Sequence, residues 1–166
     1  MHNIESLKLV LLKSDFKALK EALDCYNINE TDKFGNNILH YYIKESGHLK
    51  LDYKAVIDLI LSKGLDINAK QTEGPYKRSP LNLAVTLTLK EIADYLIKEG
   101  ADINSTDANG NSVLWAAVMW YRGDGFLIKR LIESGADVNQ KNDAGISPIK
   151  LAKSIENYDA DKFFPR

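Results

Sequence analysis

One short motif recurs through this chain at a near-constant spacing. It reads Tyr26-Asn27-Ile28-Asn29, then Leu65-Asp66-Ile67-Asn68, Ala101-Asp102-Ile103-Asn104 and Ala136-Asp137-Val138-Asn139. The terminal asparagines lie 39, 36 and 35 residues apart, and the loop glycines Gly35, Gly74, Gly110 and Gly145 keep the same separations. Two independent markers with one period mean a repeated supersecondary unit, each copy too small to bury its apolar face alone. Residues 107–139 hold the fullest copy. A turn at Asn109-Gly110 is followed by an apolar run from Val113 to Trp120. A polar break at Arg122-Gly123-Asp124-Gly125 leads to a second apolar run, Phe126 to Ile132, and a stop at Gly135. This pattern predicts two short helices preceded by a hairpin loop.

Periods slightly above 33 residues, with D-x-x-G openings and G-A-D-[VI]-N closings, resemble the ankyrin repeat from about Asp15 to Lys153. The resemblance implies an all-α ankyrin-repeat solenoid of about five helix–turn–helix units with hairpin-like loops, both ends capped. The expected layout is one domain over residues 1–166, with units at about 1–31, 32–70, 71–106, 107–141 and 142–166. It is expected to be a complete small solenoid.

The units differ in detail. In the first, Leu7, Leu9, Val10, Leu11 and Leu12 make an apolar helix, and Ser14-Asp15 breaks it and caps a second that carries Phe16, Leu19, Ala22 and Leu23. Lysines on the other face suit an end unit with no upstream neighbour. The second unit opens at Asp32-Lys33-Phe34-Gly35-Asn36 and has about six residues beyond the pattern near Ser46 to Leu51. In the third, the loop from Gln71 to Arg78 is about three residues long for the pattern. Ser79-Pro80 starts its first helix, and Thr88 with Glu91 reads as a capping box for its second. Ser147-Pro148 starts the last unit, whose second helix is short at best. Phe163-Phe164 is expected to cover the final core face.

A formal net charge of −1 provides no field that would draw nucleic acid or an anionic membrane. The single cysteine, Cys25, excludes an internal disulfide framework and suits a reducing compartment. No apolar run approaches the ~20 residues of a membrane span or a signal-peptide core. A cytoplasmic monomer is the expected state.

The sequence lacks a G-x-S-x-G elbow, an H-E-x-x-H pair, a C-x-x-C pair and a phosphate-binding loop. Neither His2 nor His48 sits in a catalytic pattern, and Cys25 has no histidine near it. No ligand pair has metal-site spacing. An enzyme is not expected, and neither a cofactor nor a metal. His40 occupies the slot that the resemblance assigns to a structural histidine bonding between neighbouring loops.

What such a fold offers is a surface. The resemblance implies protein binding through hairpin tips and first-helix ends along a concave side. Carried onto this sequence, the expected protein-binding residues are Phe34, Tyr42, Tyr76, Lys77, Arg78, Leu87, Trp115, Met119, Trp120, Tyr121 and Arg122. Aromatic and arginine side chains are the types that dominate binding energy at protein interfaces. Trp115 fills the histidine slot, which the resemblance makes half buried between units, so packing competes with binding there. Tyr42 replaces a small core residue, so its ring either displaces a neighbour or points out. The extra residues around Arg122 are expected to push Tyr121 and Arg122 outward. The partner is expected to be another protein. A second reading comes from Trp120-Tyr121-Arg122-Gly123-Asp124-Gly125 together with the tail from Ser154 to Phe164. These resemble small bacterial ankyrin proteins encoded beside toxins, which implies an immunity protein that binds and inhibits a toxin.

Overall fold

The computed structural model describes residues 3–155 and 159–165. His2, the Glu156–Tyr158 part of the tail and Arg166 lie outside the described residues. The chain divides into two compact units, residues 1–80 and 81–166. The described elements are helical, as the repeat pattern predicts.

The first unit holds α1 (Ile4–Leu12), α2 (Phe16–Asp24), α3 (Ile38–Glu45) and α4 (Tyr53–Ser62), with a 3-10 turn at Ser46–His48 in the lengthened link. Short side chains start each helix by accepting an otherwise unpaired backbone N–H. Asn3 and Ser6 form a reciprocal capping box, Asp15 accepts from Ala18 N, Asn37 from His40 N and Asp52 from Ala55 N. Helix α1 packs on α2 and α3, and α4 packs on α2 and α3. Leu7, Leu11, Leu19, Ile38, Leu39, Ile43, Ile57 and Ile60 fill the interior.

The second unit holds α5 (Pro80–Thr86, opening on the boundary), α6 (Lys90–Lys98), α7 (Val113–Met119), α8 (Phe126–Glu133) and α9 (Pro148–Ser154). A 3-10 turn at Ala160–Phe163 follows. Ser112 and Ser147 cap α7 and α9. Helix α8 lies against α6 and α7, and α9 against α7. Phe164 is buried, as the expected cover of the last core face requires.

The recurring signatures have a local cause. In each closing motif a side-chain oxygen accepts the N–H two residues on. Asn68 N donates to Asp66, Asn104 N to Asp102 and Asn139 N to Asp137, at 2.8–2.9 Å. In the degenerate copy Asn27 takes the aspartate's place, with Asn29 N at 3.2 Å. The loop openings use the same device. Asp32 Oδ1 accepts from Phe34 N and Asn36 N, and Asp107 Oδ1 from Asn109 N and Asn111 N. Only a short polar side chain can close such a turn on its own backbone.

Three expectations need correcting. Thr88 does not cap α6: it sits at φ +57 and ends α5, its N–H on the Val85 carbonyl, while Leu89 stands at the helix start without a side-chain cap bond. The outward side of α1 is not purely polar, because Leu9 and Leu12 are 61% and 49% exposed. Tyr42 does not point out. It is 1% exposed and sits in the first unit's core, because the helix spacing that aligns it with Leu39 and Ile43 turns it inward. Burial, with Asp52 nearby, pushes its phenol up to about 12.

Candidate protein-binding surface

In the first unit the expected site residues stand on two adjoining loops. The opening loop from Asp32 to Asn37 is tied to the following loop by Thr72 N donating to the Gly35 carbonyl at 3.1 Å, and by Gln71 Nε2 donating to Asn36 Oδ1 at 2.6 Å. That closeness depends on a residue without a Cβ, since one on Gly35 would lie 2.1 Å from Glu73 N. Phe34 is thereby held at the tip, 61% exposed, with Lys33 Nζ 5.1 Å from its ring centre. Asp32 is buried at the base of the loop and bound by Lys8 Nζ at 2.7 Å. Burial opposes its ionisation, but Lys8 and the donors from Asn36 and Phe34 outweigh this and hold its carboxyl below the usual range.

The second loop closes on itself. Gln71 N donates to the Arg78 carbonyl at 3.0 Å, and Arg78 N to Gln71 Oε1 at 3.1 Å. Pro75, Tyr76 and Lys77 bulge outward between them. Tyr76 and Lys77 are exposed and Arg78 is half-buried. The Arg78 guanidinium lies 4.2 Å over the Tyr76 ring, a cation–π contact. Lys77 takes φ +47, a conformation that side chains other than glycine adopt at some strain.

In the second unit the site residues separate into two kinds. Leu87, Met119 and Trp120 are 42–44% exposed, and Arg122 is exposed. Arg122 Cζ lies 5.9 Å from the Trp120 ring centre, and its Nη1 donates to the carbonyls of Met119 and Tyr121. A cavity of about 240 Å³ borders Trp120 and Arg122, with Val85, Ala117, Leu127 and Ile128 in its apolar wall. Lys90 and Asp124 also line it and form an ion pair with each other.

Tyr121 also borders the cavity but is not exposed with Trp120 and Arg122. It is 3% exposed, its hydroxyl donates to Asp159 Oδ1 at 2.9 Å, and its ring meets Phe163 edge-on at 5.7 Å between centres. The expected outward push therefore applies to Arg122 alone. The reason is tertiary: the final 3-10 turn supplies a ring, and Asp159 just before it a carboxylate, so the tyrosine gains more by turning in. Gly125 belongs to the same arrangement, because a Cβ there would strike the Phe163 ring at 2.1 Å. Sequence reasoning had no access to Asp159 as the tether for Tyr121, since 38 residues separate them. Trp115 is half-buried, and its indole N–H is buried without an acceptor.

Among the described residues no helix is long and apolar enough to cross a membrane.

A family model for ankyrin repeats in three copies matches residues 7–107 and 49–142. Among curated proteins, the chain is 31% identical over 136 residues to an intracellular phospholipase A2 of Caenorhabditis elegans, covering 78% of this chain and 12% of that protein. It is 30% identical over 128 residues to an ankyrin repeat protein of Variola virus, covering 75% of this chain and 22% of that one. With the palmitoyltransferase AKR1 of Saccharomyces cerevisiae the identity is 34% over 131 residues, covering 75% and 16%. The chain thus spans less than a quarter of the length of each of these relatives. Helix pairs, self-closing aspartate turns and linked hairpin loops all agree with the matched model: this chain belongs to the ankyrin repeat family, with its all-helical repeat fold.

Proposed function

We propose that the chain is a protein–protein interaction module whose contacts are made by its hairpin tips and first-helix ends. The observation that carries this reading is the exposure of Phe34, Tyr76, Leu87, Met119 and Trp120, each between 42% and 61%. Both units close their cores without these side chains. Large apolar groups left this far in water at loop tips and helix ends mark interaction surfaces. A partner patch of roughly 800 Å² per side is the standard size. The module works without catalysis, as a monomer in the cytoplasm before it binds. The free, exposed thiol of Cys25 fits that compartment.

The test is affinity capture from host lysate with tagged chain, beside a Leu87→Ala/Trp120→Ala variant. A stoichiometric protein partner lost by the variant supports the reading. Capture of nothing by the wild-type chain sinks it.

A narrower reading has an observation in its favour. The two segments that resemble toxin-immunity proteins meet in one place, Tyr121 bonding Asp159 and meeting Phe163 edge-on. An immunity protein would bind an enzyme one to one and abolish its activity. Growth rescue of cells expressing the captured enzyme would support that role, and full enzyme activity in the complex would exclude it.

A further inference from the structure

Arg78 has a fixed backbone and an unused head. Its carbonyl accepts from Gln71 N, its N–H donates to Gln71 Oε1, and His40 Nε2 lies 3.0 Å from the same carbonyl. Its guanidinium rests on Tyr76, with Nε buried and lacking an acceptor. No ion pair engages it among the described residues. Other arginines in the chain find acceptors, Arg130 on Asp94 and Arg122 on two carbonyls.

The neighbouring side chains are cationic. Lys33, Lys70 and Lys77 are exposed, and Lys33 sits over the Phe34 ring. The two loops themselves carry two carboxylates. Asp32 is buried and held by Lys8, which leaves Glu73 as the exposed one on these two loops. A chain of net charge −1 thus carries a local positive excess at this tip, beside two exposed aromatic rings. The other loop tips, Asp107-Ala108-Asn109 and Asn142-Asp143-Ala144, have neither a cation nor an aromatic.

Resting on the protein-binding reading above, we propose that these two loops receive an acidic peptide segment of the partner. An aspartate or glutamate carboxylate would take the Arg78 fork, and an adjacent apolar side chain would cover Phe34. Arginine suits this because its planar donors match a carboxylate two by two. Stacking on Tyr76 and the fixed backbone remove much of the ordering that binding would otherwise require. Lys33 and Lys77 would favour approach of negative charge over positive.

Two fluorescein-labelled peptides test this by anisotropy at low salt. One repeats Glu-Leu-Asp-Phe and the other repeats Gln-Leu-Asn-Phe. The acidic peptide should bind at least about tenfold tighter, as charge-assisted bonds require. Arg78→Gln should abolish that preference while the helical signal and Tm hold. Arg78→Lys, which keeps the charge and loses the fork, should recover little of it. Equal binding of the two peptides, no binding of the acidic one, or full retention by either variant overturns the proposal. So does a labelled oligothymidine that displaces the peptide and binds more tightly, which would assign the site to phosphates. A host partner retained by Arg78→Gln would sink the acidic anchor and leave the protein-binding reading standing. Failure of that broader reading shows separately, as the absence of any captured partner.

Discussion

His40 Nε2 lies 3.0 Å from the backbone carbonyl of Arg78, 38 residues further along the chain. A carbonyl only accepts, so Nε2 is the donor and carries a proton. The imidazole is fully buried. Burial pushes its pKa down to about 4, against a raising effect from the Arg78 carbonyl bond. One side chain thus anchors the base of the loop that presents Tyr76 and Arg78.

This arrangement predicts a pH dependence of stability. The unfolded histidine titrates near 6.5 and the folded one near 4. Its stabilising contribution is fully present above pH 6.5 and is lost as pH falls toward 4, because the unfolded chain takes up the proton first. Between pH 6.5 and 5 the loss should be about 2 kcal/mol, at 1.36 kcal/mol per pKa unit. Most carboxylates stay ionised in that window. Urea midpoints at pH 7 and pH 5 measure it, and His40→Gln should flatten the difference. An unchanged slope in the variant would show that the proton goes elsewhere.

Trp120 and Tyr121 are neighbours in sequence with opposite environments, and alanine substitutions should separate them. Tyr121→Ala removes a buried ring and is expected to cost about 3 kcal/mol. Tyr121→Phe, which keeps the ring and loses the hydroxyl with its bond to Asp159, should cost about 1 kcal/mol. Trp120→Ala should stay under about 1 kcal/mol, as for exposed sites. Thermal melts of the three variants decide the matter. A Trp120→Ala chain that unfolds before Tyr121→Ala would reverse the assignment.

Gly110 and Gly135 both adopt positive φ, +72 and +92. They differ in what surrounds them. A Cβ on Gly110 would meet Asp143 Oδ1 at 2.6 Å and Asp143 N at 3.0 Å, whereas nothing lies within 4 Å of one on Gly135. Gly135→Ala should therefore cost only the backbone strain, about 1 kcal/mol. Gly110→Ala adds a clash that forces the Asn109 and Asp143 loops apart and breaks the Asp143 N to Asn109 O bond. It should cost at least about 2 kcal/mol. Equal losses in chemical denaturation would mean that the loops are not in contact in solution.

Lys8 and Asp32 form a buried ion pair, with side chains 12% and 2% exposed. Lys8→Met keeps the stem and removes the charge, leaving the carboxylate with only its N–H donors. The expected loss is about 3 kcal/mol. An Asp32→Asn/Lys8→Met double variant should recover part of it. Additive losses in that cycle would show that the pair contributes nothing of its own.

The repeat frame was readable because its signals are local. The aspartate of each closing motif bonds an N–H two residues away, and each cap an N–H three residues away. Such bonds need no distant partner, so residue type and spacing specify them. Thr88 shows the limit of local reading. Its spacing to Glu91 matches a capping box, yet the chain uses it to end the preceding helix at positive φ.

Burial of single aromatic rings was a different matter. Tyr42 and Tyr121 look like binding residues by type, and both lie in cores. Phe34 and Trp120 look the same and are exposed. Nothing within a few residues distinguishes them, because the deciding groups are Asp159 and Phe163 for Tyr121 and the packed helix faces for Tyr42. Likewise, Arg78 was marked by its place at a loop tip, while the bonds from His40 and Gln71 and the stack on Tyr76 that fix it were not visible. Short-range hydrogen bonding makes the helix starts and the recurring closing turns legible in the sequence itself. Which large side chains remain in water depends on surfaces brought together from tens of residues apart, and that only the tertiary structure decided.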